Sequence, residues 1–163
     1  MTLNERLNSL NETRTKINEL KNDLVQQSYE IFTDLQKKIF TKYPELESFG
    51  WSQYTPYFND GDTCIFSANT DYIKMNDEYA EDSNWFNKNN VIDWGKWNNS
   101  TRGYEGRVEE PNNLYNKKLA NAHDEIVNFL SYFDDDFYLS KFGDHAEIII
   151  TKDSLTIEDL DHD

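Results

Sequence analysis

The sequence predicts an α+β fold: a long N-terminal helix and a second helix packed on an antiparallel sheet of hairpins. Three observations predict it. Thr2 to about Lys42 contains no Gly or Pro and repeats apolar residues at helical spacing; a second helical period runs from about Asn116 to Phe133; and the remaining segments are short, β-rich and bounded by turn sequences. At 163 residues the chain supports one core of moderate size, so residues 1–163 read as a single domain with the helix over 1–42 and an α+β body over 43–163. Hydrophobic residues make up 37% and aromatic residues 15%, so Phe, Tyr and Trp must supply much of that core.

In the first helix Leu3, Leu10, Ile17, Leu24 and Ile31 recur every seven residues, with Leu7, Leu20 and Leu35 beside them. The stripe is narrow at first and widens through Tyr29, Phe32, Ile39 and Phe40, as expected of a coiled-coil seam that runs into a core-packing helix. Homo-oligomerisation through this helix is one expectation, although Arg6, Thr13, Gln27 and Asp34 interrupt the seam; a helix lying on its own sheet is the other. Pro44 ends it, because a residue before proline is pushed out of the α region.

Trp51–Phe58 and Thr63–Asn69 read as two strands of a hairpin around Asn59-Asp60-Gly61-Asp62, since Asp-Gly supplies positive φ angles, with Pro56 restricting the first strand to an edge or a bulge. Residues 71–116 show no regular period and mix Trp85, Trp94, Trp97 and Tyr104 with many asparagines; a segment of this kind is functional or mobile. After the second helix, Asp134, Asp135 and Asp136 are expected in an exposed turn, because acidic residues oppose the dipole of a helix C-terminus. Phe137–Lys141, His145–Thr151 and Leu155 to about Leu160 are the remaining strand candidates.

Net charge is −15, from 31 acidic and 16 basic side chains. A field of that sign repels phosphate backbones and anionic lipid heads, so neither direct nucleic-acid binding nor a membrane surface is expected. Cys64 is the only cysteine, which excludes an intramolecular disulfide and fits a cytoplasmic protein. Polar residues interrupt Met1–Leu10 where a signal peptide needs an apolar run, and no apolar stretch reaches membrane-spanning length.

Two candidate sites follow. Gln53, Tyr54 and Tyr57, with Asn59, Asp60 and Asp62 at the turn, set amide and phenol groups beside flat aromatic surface, which suits a ligand with a ring and hydrogen-bonding edges. Turn chemistry alone also explains Asn59, Asp60 and Gly61. Trp94 or Trp97 could stack a base, and Arg102 and Arg107, flanking Gly103-Tyr104-Glu105-Gly106, could clamp a phosphate or carboxylate. The spacing of Gly95, Gly103 and Gly106 is not a dinucleotide fingerprint, since no strand leads into a helix there. At the C-terminus a tight turn at Asp153-Ser154 would set His145 opposite His162 with Asp144 nearby, a set able to hold a divalent metal if the register is right. No other cofactor is expected. Cys64, inside a predicted strand, reads as an inert thiol, His123 as a surface histidine, and no nucleophile elbow occurs, so the chain reads as a binding or inhibitory module rather than an enzyme.

Gln53-Tyr-Thr-Pro-Tyr-Phe-Asn-Asp-Gly-Asp62 followed by Cys64 and Phe66, with Phe142-Gly-Asp-His145 and Asp161-His-Asp163, resembles a family of small uncharacterised proteins of bacteria and tailed phages. The likeness covers the N-terminal helix, the hairpin and the C-terminal strands; the Trp- and Asn-rich middle is peculiar to this chain. The resemblance implies no assigned activity, but a phage-type setting favours a role against host defence in the host cytoplasm. Two modes compete: sequestering a small nucleotide-like ligand, and inhibiting a basic host protein by mimicking nucleic acid. Metal-dependent hydrolysis at the histidine cluster is a third.

Overall fold

A computed structural model describes residues 2–58 and 60–161. Its first element, α1 (Leu3–Lys42), begins in a capping box: the Thr2 hydroxyl accepts from the Glu5 amide at 3.3 Å while the Glu5 carboxylate accepts from the Thr2 amide. Forty residues at 1.5 Å each make a rod about 60 Å long. It ends where expected, with the Tyr43 amide donating to Ile39 just before Pro44.

Phe32, Ile39 and Phe40 on its second half are buried, whereas residues 2–24 are exposed throughout. No helix among the described residues is long and apolar enough to cross a membrane.

The body is a six-stranded antiparallel sheet with helices on one face. Its centre is β1 (Ser48–Tyr54). On one side β1 pairs with β9 (Ala146–Thr151), which pairs in turn with β10 (Leu155–Asp159). On the other side it pairs with two short strands in succession, β2 (Ser67–Ala68) at Gln53 and Tyr54, and β3 (Lys74–Met75) at Phe49 and Gly50; β3 pairs with β4 (Glu78–Tyr79). Alternation along β1 and β9 sends Phe49, Trp51, Gln53, Ala146, Ile148 and Ile150 inward. There they meet α1, α2 (Lys117–Leu130) and α3 (Asp135–Phe142).

Phe32 is the hub, with its ring 5.2–6.2 Å from those of Trp51, Phe129, Phe133, Phe137 and Phe142. Each buried Phe contributes roughly 1.5–3 kcal/mol. This aromatic knot therefore fixes the helical layer on the sheet.

Four expectations need correction. The strand expected over Phe137–Lys141 is helix α3: the aspartate run caps the start of this helix rather than following the previous one. Asp134 accepts from the Phe137 amide at 2.9 Å, and Asp135 and Asp136 lie in the first turn, where negative charge is favourable.

The hairpin around Asp60-Gly61 is shorter than its apolar pattern suggests. The chain does turn there, with Asp60 at φ 40° and Gly61 at φ 92°, but β1 stops at Tyr54 ahead of Pro56, and Cys64 lies in the connection before β2 rather than in a strand. His123, expected at the surface, is buried on α2, with Nδ1 3.1 Å from Asp124 and the Phe86 ring against it at 4.5 Å.

The C-terminal register differs by two residues. Thr151 and Ser154 close a turn with Lys152-Asp153 at its tip, because the Thr151 hydroxyl accepts from both the Asp153 and Ser154 amides. Ala146 thereby pairs with Asp159, and His145 faces Leu160, whose amide donates to the His145 carbonyl at 2.7 Å. His145 is therefore not set opposite His162, which lies outside the described residues together with Asn59 and Asp163.

Candidate functional site: an aromatic ribbon and a knitted corner

Residues 91–110, read as irregular from the sequence, form a two-part antiparallel ribbon. β5 (Val91–Asp93) pairs with β8 (Val108–Glu110), and β6 (Lys96–Asn98) with β7 (Gly103–Glu105). Val91 pairs with Glu110 and Asn98 with Gly103, so both parts keep one register and form a single hairpin with an interruption at residues 94–95 and 106–107.

Gly95 and Gly106 make that interruption possible, at φ 69° and 84°; a Cβ on Gly95 would stand 2.1 Å from the Glu105 carbonyl oxygen. At the tip the Asn98 side chain accepts from the Ser100 amide at 2.8 Å, and Arg102 adopts φ 50°.

Only Ile92, Asn98 and Gly103 of this ribbon are even partly buried. At about 3.3 Å per residue its tip stands about 30 Å from its base, more than three screening lengths of about 8 Å at physiological ionic strength. The charge of the body is consequently weak at the tip. Beyond the interruption, Lys96 and Arg102 outnumber Glu105, so the end of the ribbon is locally cationic on a chain of net charge −15.

Its aromatic side chains group together. Tyr104 is the cross-strand partner of Trp97, with rings 5.1 Å apart edge to face, and Trp94 lies 5.9 Å from Tyr104. The Arg107 guanidinium lies 5.0 Å from the Trp94 ring centre and 3.6 Å from the Glu109 carboxylate. Lys96 and Arg102 make no ion pair among the described residues. Trp94, Trp97 and Tyr104 are 51%, 53% and 57% exposed, values that leave them without a packing role in the body. The sequence-predicted residues Trp94, Trp97, Arg102 and Arg107 are thus brought onto one projecting element.

Gln53, Tyr54 and Tyr57 stand elsewhere, at the corner where β1 leaves the sheet. Gln53 is fully buried and holds the fold together: its Oε1 accepts from the Trp51 indole at 3.1 Å, and its Nε2 donates to the carbonyls of Tyr138 and Gly143. It does not face a ligand. Asp144 accepts from the Thr55 amide and hydroxyl, each at 2.7 Å, and from the His145 amide at 2.8 Å. Partial burial pushes its carboxyl up, but these donors outweigh that and hold it below the ordinary range.

The Tyr57 ring stacks on His145 at 4.7 Å and is 71% exposed, while Asp60 and Asp62 are exposed on the connection that follows. The two motif-bearing segments therefore do lie side by side, joined through Gln53–Gly143, Thr55–Asp144 and Tyr57–His145. Among the described residues no group of three or more His, Cys, Asp or Glu side chains is arranged to hold a metal.

Tyr104, which completes the aromatic cluster, was not singled out as a ligand residue by the sequence. The signal was the symmetric placement of Gly95 and Gly106 about the Asn98–Gly103 pair. No family model matches the chain, and no curated protein or solved structure is significantly similar to it.

Proposed function

We propose that the protein is a non-catalytic binding module whose reader is the ribbon at residues 91–110, and that it captures a flat anionic group of nucleotide-like chemistry. A ring would stack on Trp97 or Tyr104 while Lys96 and Arg102 draw in phosphate. One observation carries this reading: three large aromatic side chains and two unpaired cations sit on an element that contributes nothing to the core. Exposed aromatic and basic side chains of this kind dominate binding energy where they occur. In the phage-type setting implied by the motif resemblance, such capture in the host cytoplasm would act against host defence.

A second reading rests on the body. Residues 91–110 carry three basic and four acidic side chains, so nearly all of the net charge of −15 lies on the body, which suits an inhibitor that offers a polyanion-like face to a basic host protein.

Calorimetric titration with a panel of nucleotides and cyclic nucleotide signals separates the two. Capture by the ribbon predicts measurable heat and at least about tenfold weaker binding for Trp97→Ala and Tyr104→Ala, given roughly 1–3 kcal/mol per stacked base. No heat from any nucleotide, together with salt-sensitive capture of a basic host protein by both variants, would move the function to the acidic body.

A further inference from the structure

We infer that the projecting half of α1 is a docking surface for a second copy of this chain, which lies across it antiparallel. The inference is independent of the ribbon. Its first observation is exposure: Leu3, Leu7, Leu10, Ile17, Leu20 and Leu24 are 48–72% exposed, on a stretch whose last turn is tied to α3 by the Lys21–Asp136 ion pair at 3.4 Å. Seven-residue spacing of Leu3, Leu10, Ile17 and Leu24 keeps a continuous seam when two helices supercoil.

The second observation identifies the occupant by charge. Residues 3–24 carry Glu5, Glu12, Glu19 and Asp23 against Arg6, Arg14, Lys16 and Lys21, so this stretch is neutral although the chain is strongly acidic. A basic partner would find no attraction there. Between two copies these neutral stretches carry no net repulsion, and in the register below Glu12 falls one position from the partner's Lys16, while Arg6 comes level with a Lys21 whose charge Asp136 already offsets at 3.4 Å.

Orientation follows from spacing and from the bodies. The aliphatic positions are symmetric about the point between Thr13 and Arg14: reversed on itself, the helix sets Leu3 level with Leu24, Leu7 with Leu20 and Leu10 with Ile17. Every aliphatic layer of one copy then meets an aliphatic residue of the other, around a two-fold axis. A parallel pair would instead hold two acidic bodies side by side. In the antiparallel pair they sit at opposite ends of about 30 Å of helix, several screening lengths apart. The incoming Leu3 would reach Leu24 at the mouth of a cleft between α1 and α3 that Val25, Ser28 and Phe137 line.

Sedimentation of the full chain over roughly a hundredfold concentration range should show a monomer–dimer equilibrium, and Leu10→Glu with Ile17→Glu should raise the dissociation constant at least about a hundredfold. These side chains are exposed, so unchanged circular dichroism would show that the variant still folds. Orientation is read by oxidative cross-linking in a Cys64→Ser background: Leu10→Cys mixed with Ile17→Cys should give the heterodimeric disulfide. A monomer at every concentration, a dimer unaffected by the double substitution, or cross-linking of Leu10→Cys to itself in place of the mixed pair would each overturn the inference.

Discussion

Removing the Gln53 amide leaves the Trp51 indole and the carbonyls of Tyr138 and Gly143 without their partner inside the body. Gln53→Ala is therefore expected to lower stability by about 3 kcal/mol, read as a lower urea midpoint at unchanged slope. Tyr57→Ala, whose ring is largely exposed, should cost less than about 1 kcal/mol. The contrast was not legible from the sequence, where Gln53, Tyr54 and Tyr57 look alike as polar members of one unusual motif. Alternation along β1 decides it, sending Trp51 and Gln53 to the same inner face. Gly50 belongs to the same strand, and a Cβ there would stand 2.0 Å from the Ile148 carbonyl oxygen. Gly50→Ala should accordingly separate β1 from β9 at a cost above roughly 3 kcal/mol, measurable in the same titration.

At the scale of elements, the ribbon and α3 make opposite predictions. Val91 and Glu110 are directly paired, so a short turn can replace the chain between them without moving its ends. Excising the ribbon this way should shift the melting temperature by less than about 5 °C, because it carries almost no buried surface. Asp134→Ala, a far smaller change, should cost about 1 kcal/mol by uncapping α3. Helix α1 was legible throughout, since forty residues without Gly or Pro leave no competing structure, and β9 and β10 were legible from alternation and turn residues. Helix α3 was not, because Phe137-Tyr138-Leu139 reads as a strand unless the preceding aspartate is taken as a cap. The ribbon was obscured by strands of three residues, too short to show a period.

For the whole molecule, the acidic excess opposes compaction, so added salt should raise the melting temperature by screening self-repulsion. The two pH limbs have identifiable sources. On Glu125, hydrogen bonds from Lys42 and Tyr43 hold the carboxyl below its ordinary 4.5, and Asp144 lies below its ordinary 3.8, partial burial being outweighed by its donors. Both were more acidic folded than unfolded, so their contribution is complete above the unfolded values and disappears as pH falls through the folded ones; Asp144→Asn should flatten that limb in acid titration. Tyr138 has the opposite sign. Burial raises its phenol above the ordinary 10.0, and its hydroxyl donates to the Leu130 carbonyl, so stability holds up to that pH and declines beyond it. Tyr138→Phe should lessen that alkaline decline, to which Tyr43, raised chiefly by its own burial, also contributes, as followed by circular dichroism. Of the site as a whole, the sequence disclosed Trp94, Trp97, Arg102 and Arg107; only pairing of the ribbon's two arms adds Tyr104 to them and separates them from Gln53, Tyr54 and Tyr57.

The four tryptophans divide between two settings: Trp51 is sealed in the core and Trp85 is packed against it, whereas Trp94 and Trp97 stand in solvent on the ribbon. Their emission should therefore contain a blue component from the first pair and a red one from the second. Unfolding would convert the blue component while leaving the red almost unmoved, and occupancy of the ribbon would quench the red alone. One optical trace thus reports global integrity and ligation separately, without any added label.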